Sequence, residues 1–163
     1  MSSASAVLTN PSVERVRQAL ERAGVRSDIV ELPGAARTAR AAAEFLGCDV
    51  AQIANSLVFR GQGSGSPVLV MSSGALRVDP QKLGALLGEP VGKADAEFVR
   101  THSGFVIGGV APVGHSIEKV FVEKSLRQHV ELWAAAGHPH TVFRLSYPDL
   151  VKITGGAEAE LAA

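Results

Sequence analysis

Short intervals between a helix-capping residue and a glycine recur along this chain of 163 residues and restrict how it can fold. Asn, Thr, Asp and Ser cap the first turn of a helix with a side-chain oxygen, and glycine readily adopts the left-handed conformation that ends one. Five such intervals run from Asn10 to Gly24, Thr38 to Gly47, Asp79 to Gly88, Asp95 to Gly104 and Ser146 to Gly155. The pattern therefore predicts five short helices with other structure between them.

Short runs of apolar and β-branched residues between these intervals predict strands. Residues 56–60 and 67–72 flank the uncharged loop GQGSGS, which predicts a hairpin. Further strands are predicted at 28–32, 105–107, 119–122, 130–135 and 141–145. Helices early and strands late indicate an α/β or α+β domain with a mixed sheet.

The composition indicates one folded domain with a real core. The chain is 46% hydrophobic and 20% charged, which excludes disorder of the whole chain. We expect a single domain over residues 10–156, with a flexible tail at 1–9 and a second tail at 157–163. The start has no positively charged region and the longest apolar stretch is far too short to span a membrane, so we expect neither a signal peptide nor a membrane partner.

Charge and cysteine content narrow the class of function. Sixteen Lys and Arg residues balance sixteen Asp and Glu residues, which argues against a non-specific DNA binder. The single cysteine, Cys48, fits a reducing compartment, and we expect a cytoplasmic protein with an inert thiol. The pair His138 and His140 lacks the further ligands of a zinc site. We therefore expect no metal and no cofactor.

Familiar catalytic signatures are absent, and one glycine-rich segment stands out instead. The sequence has no GxSxG, GxxxxGK[ST], HExxH or complete GxGxxG pattern. Residues 104–115 run from an apolar stretch into Gly108 and Gly109, and then through Pro112 to Gly114. Backbone amides next to glycines can approach a carboxylate, a phosphate or a developing oxyanion. A tight corner that only needs small residues is the alternative.

Several blocks in this order resemble the YbaK/prolyl-tRNA-synthetase editing-domain family. They are T-A-x-x-A-A-x-x-L-G at 38–47, Q-I-A-N-S-L-V-F at 52–59, S-G-A-L-R-V-D at 73–79, G-G-V-A-P-V-G-H at 108–115 and V-F-R-L-S-Y-P-D-L-V-K-I at 142–153. The resemblance covers roughly residues 10–156 and implies a mixed, strongly curved sheet flanked by helices. It also implies hydrolysis of the ester that joins a wrong amino acid to tRNA.

The resemblance implies a separate trans-editing protein that removes a small amino acid such as Ala, Cys or Ser, with tRNA-Pro as the candidate acceptor. Its partners would be the acceptor end of an aminoacyl-tRNA and, as a candidate, prolyl-tRNA synthetase; the oligomeric state stays open. Water, or the ribose hydroxyl of the substrate, would attack the ester carbonyl. The catalytic residues implied are Asn55, Gly108, Gly109 and Val110. The implied substrate-binding residues are Ser56, Ser73, Gly74, Pro112, Gly114 and His115.

One of these positions departs from the family pattern. Asn55 stands where the family typically carries a lysine, so charge and reach are lost. The chain is then an active deacylase with a different amino-acid preference, a weak deacylase that recruits another cation, or a non-catalytic tRNA-binding relative. The nearest cations in sequence are Arg37, Arg40 and Arg60. A small-molecule hydrolase or binding protein unrelated to tRNA is a third alternative. Asn55 and Ser56 should face opposite ways on a strand. His115 is either a general base or, as we favour, a residue that fixes the loop.

Overall fold

The computed structural model describes residues 6–163, in which short helices pack against two β-sheets. The helices are α1 (Pro11–Arg22), α2 (Ala39–Leu46), α3 (Pro80–Leu87), α4 (Ala96–Ser103) and α5 (Tyr147–Thr154). Each begins at its predicted cap, whose side chain accepts a backbone N–H of the first turn. Four of them end at a left-handed glycine, whereas α1 ends at Ala23, one residue before Gly24.

The strands form one sheet of five and one of three. They are β1 (Ile29–Glu31), β2 (Ala54–Gly61), β3 (Pro67–Ser73), β4 (Val91–Lys93), β5 (Lys119–Glu123), β6 (Leu132–Ala135), β7 (Thr141–Leu145) and β8 (Ala157–Ala159). The larger sheet has the order β4-β2-β3-β5-β8 and the smaller one the order β1-β7-β6. The predicted hairpin is confirmed as β2–β3, while β3, β5 and β8 run parallel, so the mixed α/β fold class is confirmed.

The two sheets meet at the beginning of β2. Ile53 forms a parallel bridge with Trp133 of β6, just before β2 continues into the larger sheet. The main core lies between the sheets and α1, with Val16, Met71 and Phe143 fully buried there. A second cluster, which includes Ala42 and Ile53, packs α2 onto the smaller sheet. This junction brings α2, β2, β6 and β7 around one small space.

Two predicted segments differ from the structure. Residues 105–107 form no strand, because Gly104 ends α4 and a turn follows at once; Phe105 is buried while Val106 and Ile107 are exposed. Residues 157–163 are not a loose tail. Ala157–Ala159 form β8 beside β5, and Leu161 is fully buried.

The expected N-terminal tail at 1–9 lies partly outside the described residues, which start at Ala6; residues 6–9 form a turn before α1. The pattern also missed β4 and β8, because three-residue strands carry almost no alternation signal. No helix within residues 6–163 has the length and apolar character needed to cross a bilayer. The strong curvature implied by the resemblance stays a prediction.

Candidate active site

A small cleft opens where the two sheets meet. It contains about 460 Å³ of space including its mouth, and it lies between α2, the first residues of β2, the loop at Gly108, and strands β6 and β7. Many of the side chains that line it are single methyl groups. Six alanines line it: Ala36, Ala39, Ala42, Ala54, Ala134 and Ala135. Water-sized molecules can be centred in only about 50 Å³ of this space, so with such a lining the cleft suits a small group rather than a bulky one.

The glycine-rich loop enters this cleft through a tight turn. Gly109 N–H donates to the carbonyl of Val106 at 2.9 Å, which closes a four-residue turn. Gly108, the third residue of that turn, has a φ of 90°, as a type II turn requires. A β-carbon on Gly108 would lie 3.1 Å from the α-carbon of Arg37. Gly108 is therefore required both by the turn and by its neighbour.

Two of the three predicted amides are unpaired within the described chain. The N–H groups of Gly108 and Val110 have no hydrogen-bond partner within residues 6–163, and both residues line the cleft. Gly109 differs from the prediction, because its N–H is already used in the turn and its α-carbon is packed against the backbone of His138. A β-carbon there would lie 2.9 Å from His138 N. Gly109 thus fixes the loop, while the amides of its two neighbours stay unpaired in that part of the chain.

Asn55 lines the cleft, and so does its neighbour Ser56. Asn55 also lines a larger groove, together with Leu57 and Phe59. The register places Asn55 opposite Ser72, whose buried hydroxyl has no partner within the described chain. The side-chain amide of Asn55 makes no hydrogen bond in that range either. Asn55 can therefore bond to a ligand or to solvent, and it lies opposite a buried hydroxyl that lines neither space.

Ser56 lies on the opposite face of β2 and has a local contact. Its hydroxyl donates to the Met71 sulfur at 3.4 Å, a weak bond that a ligand can replace. Both Ser56 and Asn55 line the cleft although strand alternation sends their side chains apart. This is possible because the cleft surrounds the first residues of β2 and does not lie over only one face of the strand.

Five predicted substrate-binding residues do not line the cleft. Ser73 is buried and donates to the carbonyl of Ala51 at 3.0 Å, so its hydroxyl is used to hold the segment before β2. Gly74 is small for packing reasons, since a β-carbon would lie 2.6 Å from Ala39 Cβ. Pro112, Gly114 and His115 shape the far part of the loop. Their contacts are with the loop itself and with α1.

His115 is held in a neutral form by its own loop. Nδ1 accepts the N–H of Ile117 at 3.1 Å, which leaves Nε2 to carry the proton that faces the carbonyl of Pro112 at 3.3 Å. Burial lowers the pKa of His115, while the Pro112 carbonyl acts in the other direction. With both ring nitrogens engaged away from the cleft, the geometry agrees with a loop-fixing role.

Arg37 lines the cleft, although the motifs did not assign it to the site. It directly precedes Thr38, the N-cap of α2, and its side chain lies against Gly108 at the mouth of the cleft. Thr141, at the start of β7, was also missed; it is buried and donates to the carbonyl of His138. A sequence signal existed only for Arg37, as a cation close to the α2 cap.

The other reactive side chains are not among the residues that line the cleft. Burial and the neighbouring Asp49 raise the pKa of the Cys48 thiol, which disfavours the nucleophilic thiolate. His138 and His140 stack edge to face at 5.2 Å, and His138 Nδ1 accepts the backbone N–H of His140. Within residues 6–163, no three His, Cys, Asp or Glu side chains gather as a metal site would require.

Fold, cleft and amide-bearing loop together define a class of protein. The model of the aminoacyl-tRNA editing domain family matches residues 34–153, and the chain belongs to this family. The match includes α2, β2, the loop at Gly108 and the strands that surround the cleft. The family is associated with aminoacyl-tRNA deacylase activity.

Individual relatives agree with this assignment. A crystal structure described as that of a proposed trans-editing enzyme for prolyl tRNA synthetase is 41% identical, with a TM-score of 0.86 over 94% of this chain and 98% of that one. A scaffold structure from work on computational epitope grafting is 37% identical, with a TM-score of 0.85 and the same coverage. YwhH of Bacillus subtilis, an uncharacterized protein, is 27% identical over 85% of this chain and 88% of its own length.

Proposed function

We propose that this protein hydrolyses the ester between a small, wrongly attached amino acid and tRNA, acting as a separate trans-editing deacylase with tRNA-Pro as the candidate acceptor. One observation carries the proposal: the N–H groups of Gly108 and Val110 are unpaired within residues 6–163, and both residues line the same cleft as Asn55. The relative described as acting for prolyl tRNA synthetase supports the choice of tRNA.

The two amides would stabilise the charge that forms during ester hydrolysis. When water attacks the carbonyl carbon, the carbonyl oxygen becomes an oxyanion that needs donors fixed in advance. The turn at Gly108 and the packing of Gly109 on His138 fix these donors, and Val110 is only 3% exposed. A single donor of this kind lowers a barrier by about 3–4 kcal/mol.

Activation of the water would fall to the substrate. The lining of the cleft, within the described chain, contains no His, Cys, Asp or Glu side chain that could act as a general base. A ribose hydroxyl next to the ester lies within reach of the attacking water in any aminoacyl-tRNA. We therefore propose substrate-assisted attack, with Asn55 as a polar group that positions the terminal nucleotide.

The alanine wall would set the size of the amino acid. One additional methylene changes binding in such a pocket by about 1–3 kcal/mol, so a wall of methyl groups distinguishes small from larger side chains. Alanine, cysteine and serine are the candidates because their side chains are no larger than a single substituted methyl group. Editing of small residues is the case in which a synthetase pocket discriminates least.

The test is a panel of mischarged tRNAs, including alanyl-, cysteinyl- and seryl-tRNA-Pro, with loss of the ester followed over time. Gly108→Ala should reduce deacylation at least tenfold, because a β-carbon strains the turn and meets Arg37, which displaces both amides. Gly88→Ala is the matched control: Gly88 also has a positive φ, but nothing lies within 4 Å of its β-carbon position. Equal losses in both variants would contradict the oxyanion role.

A second candidate function is recognition of aminoacyl-tRNA without catalysis. It is favoured by Asn55 itself, which is neutral at the position where the resemblance implies a lysine. Saturable binding of mischarged tRNA with no ester loss across the whole panel would support this candidate. Turnover of any one member would exclude it.

A further inference from the structure

Arg37 is packed onto the loop that carries the two free amides. Its Cγ lies 3.5 Å, and its Cα 3.1 Å, from the point where a β-carbon on Gly108 would stand. The side chain therefore starts directly above the turn and continues to the mouth of the cleft, where Arg37 is exposed. Thr38 fixes the backbone at this point by capping α2.

The guanidinium of Arg37 has no internal partner. Among residues 6–163 it forms neither an ion pair nor a hydrogen bond, although it is a cation at a cleft whose lining has no acidic residue. Arg60 lies over the ring of Phe98 at 5.3 Å, five residues further along β2 than Asn55. Arg40 does not line the cleft. Of the three arginines near the motif, Arg37 alone places a free charge there.

The charge of Arg37 also reaches the opposite side of the mouth. Burial lowers the pKa of His138, and the charges of His140 and Arg37 lower it further, while Glu31 acts against them. His138 lies in the segment onto which Gly109 packs. Arg37, the Gly108 turn and the loop before β7 thus surround one entrance.

We propose that Arg37 binds the phosphate of the 3′-terminal nucleotide of the aminoacyl-tRNA, an inference that rests on the proposed function. A planar guanidinium matches a phosphate with two parallel hydrogen bonds. The exposed position suits a group that stays hydrated until substrate arrives, whereas the ester carbonyl goes deeper, to Gly108 and Val110. Arg37 then supplies, from the segment just before α2, the positive charge that Asn55 lacks.

The test uses two stable analogues in which an amide replaces the ester: 3′-alanylamino-3′-deoxyadenosine with and without a 5′-phosphate. Wild-type protein should bind the phosphorylated analogue about tenfold more tightly in calorimetry at low salt, as expected for one exposed charge-assisted pair. Arg37→Gln should bind both analogues equally, and Arg37→Lys should keep part of the preference. Arg40→Gln, a loss of charge one helical turn away, should behave as wild type.

A second readout does not depend on ligand or activity. In an NMR titration, Arg37→Gln should raise the pKa of His138, and Arg40→Gln should raise it less. A phosphate preference that survives in Arg37→Gln, or one that is absent from a wild-type protein that hydrolyses aminoacyl-tRNA, overturns the role of Arg37 alone. A wild-type protein that binds neither analogue and hydrolyses no ester contradicts the proposed function and this inference with it.

Discussion

Asn55 combines three properties that rarely occur together on a strand. It is polar, it has no partner within the described chain, and it borders both the cleft and the larger groove. Opposite it, the Ser72 hydroxyl is buried and equally unpaired. The buried Ser72 hydroxyl, unpaired within residues 6–163, destabilises the fold, whereas the half-buried Asn55 amide can bond to solvent or to a ligand.

A lysine at position 55 tests whether the cleft can still use the side chain that the resemblance implies there. Asn55→Lys should preserve or raise deacylation, because the longer side chain adds a charge at the junction of cleft and groove without displacing Gly108 or Val110. Initial rates on the best substrate of the mischarged panel would measure the effect. Asn55→Gln is the control for length without charge. A folded Lys variant that has lost all turnover would contradict the expectation.

Some site residues could be found from the sequence and others could not. The resemblance implies Asn55 and Gly108 as site residues, and both line the cleft. Ser73 and Gly74 were expected in the site. Ser73 instead donates a hydrogen bond to the carbonyl of Ala51, and Gly74 packs closely against Ala39. Such contacts join segments far apart in sequence, and no local pattern records them.

At the scale of elements, caps were the reliable signal. A cap and its glycine act within a few residues, so all five helices begin where the sequence indicates. The last strand was missed for the opposite reason. β8 exists because β5 offers it a parallel edge, and because Glu123 receives the N–H groups of Leu161 and Ala162.

The segment after α5 should be essential for stability. Leu161→Ala should lower the free energy of unfolding by about 2–5 kcal/mol, because Leu161 is fully buried beside Val70 and Leu83. Leu86→Ala is the matched control, since Leu86 is 53% exposed on α3 and should change stability by less than about 0.5 kcal/mol. Urea denaturation followed by circular dichroism measures both. Equal, small effects would mean that the segment is a tail after all.

At the scale of the whole molecule, stability should depend on pH near neutrality through His115. Burial lowers its pKa in the folded protein, so between that value and about 6.5 the unfolded chain binds more protons. The contribution of His115 to stability is therefore fully present above about pH 6.5, and it is lost as the pH falls through the pKa of His115 in the folded protein. The pKa of His138 is lowered too, and it should leave a residual slope.

The measurement is the free energy of unfolding between about pH 7.5 and 5.5, a window above the titration of the carboxylates. His115→Asn should flatten the decline, because the asparagine oxygen can still accept the N–H of Ile117 but does not titrate. His129→Asn, at a ring with no hydrogen bond within the described chain, should leave the decline unchanged. A decline as steep in His115→Asn as in wild type would exclude His115 as its source.

Because β8 covers the edge of β5, the order in which the chain is synthesised decides when the larger sheet is completed in the cell. The ribosome delivers β3 and β5 well before residues 157–161, which complete the hydrogen bonds of β5 and of the Glu123 carboxylate. A nascent chain must therefore wait with an open sheet edge until residue 161 has left the exit tunnel. Ribosomal stalling shortly before that point would expose this edge to chaperones and proteases.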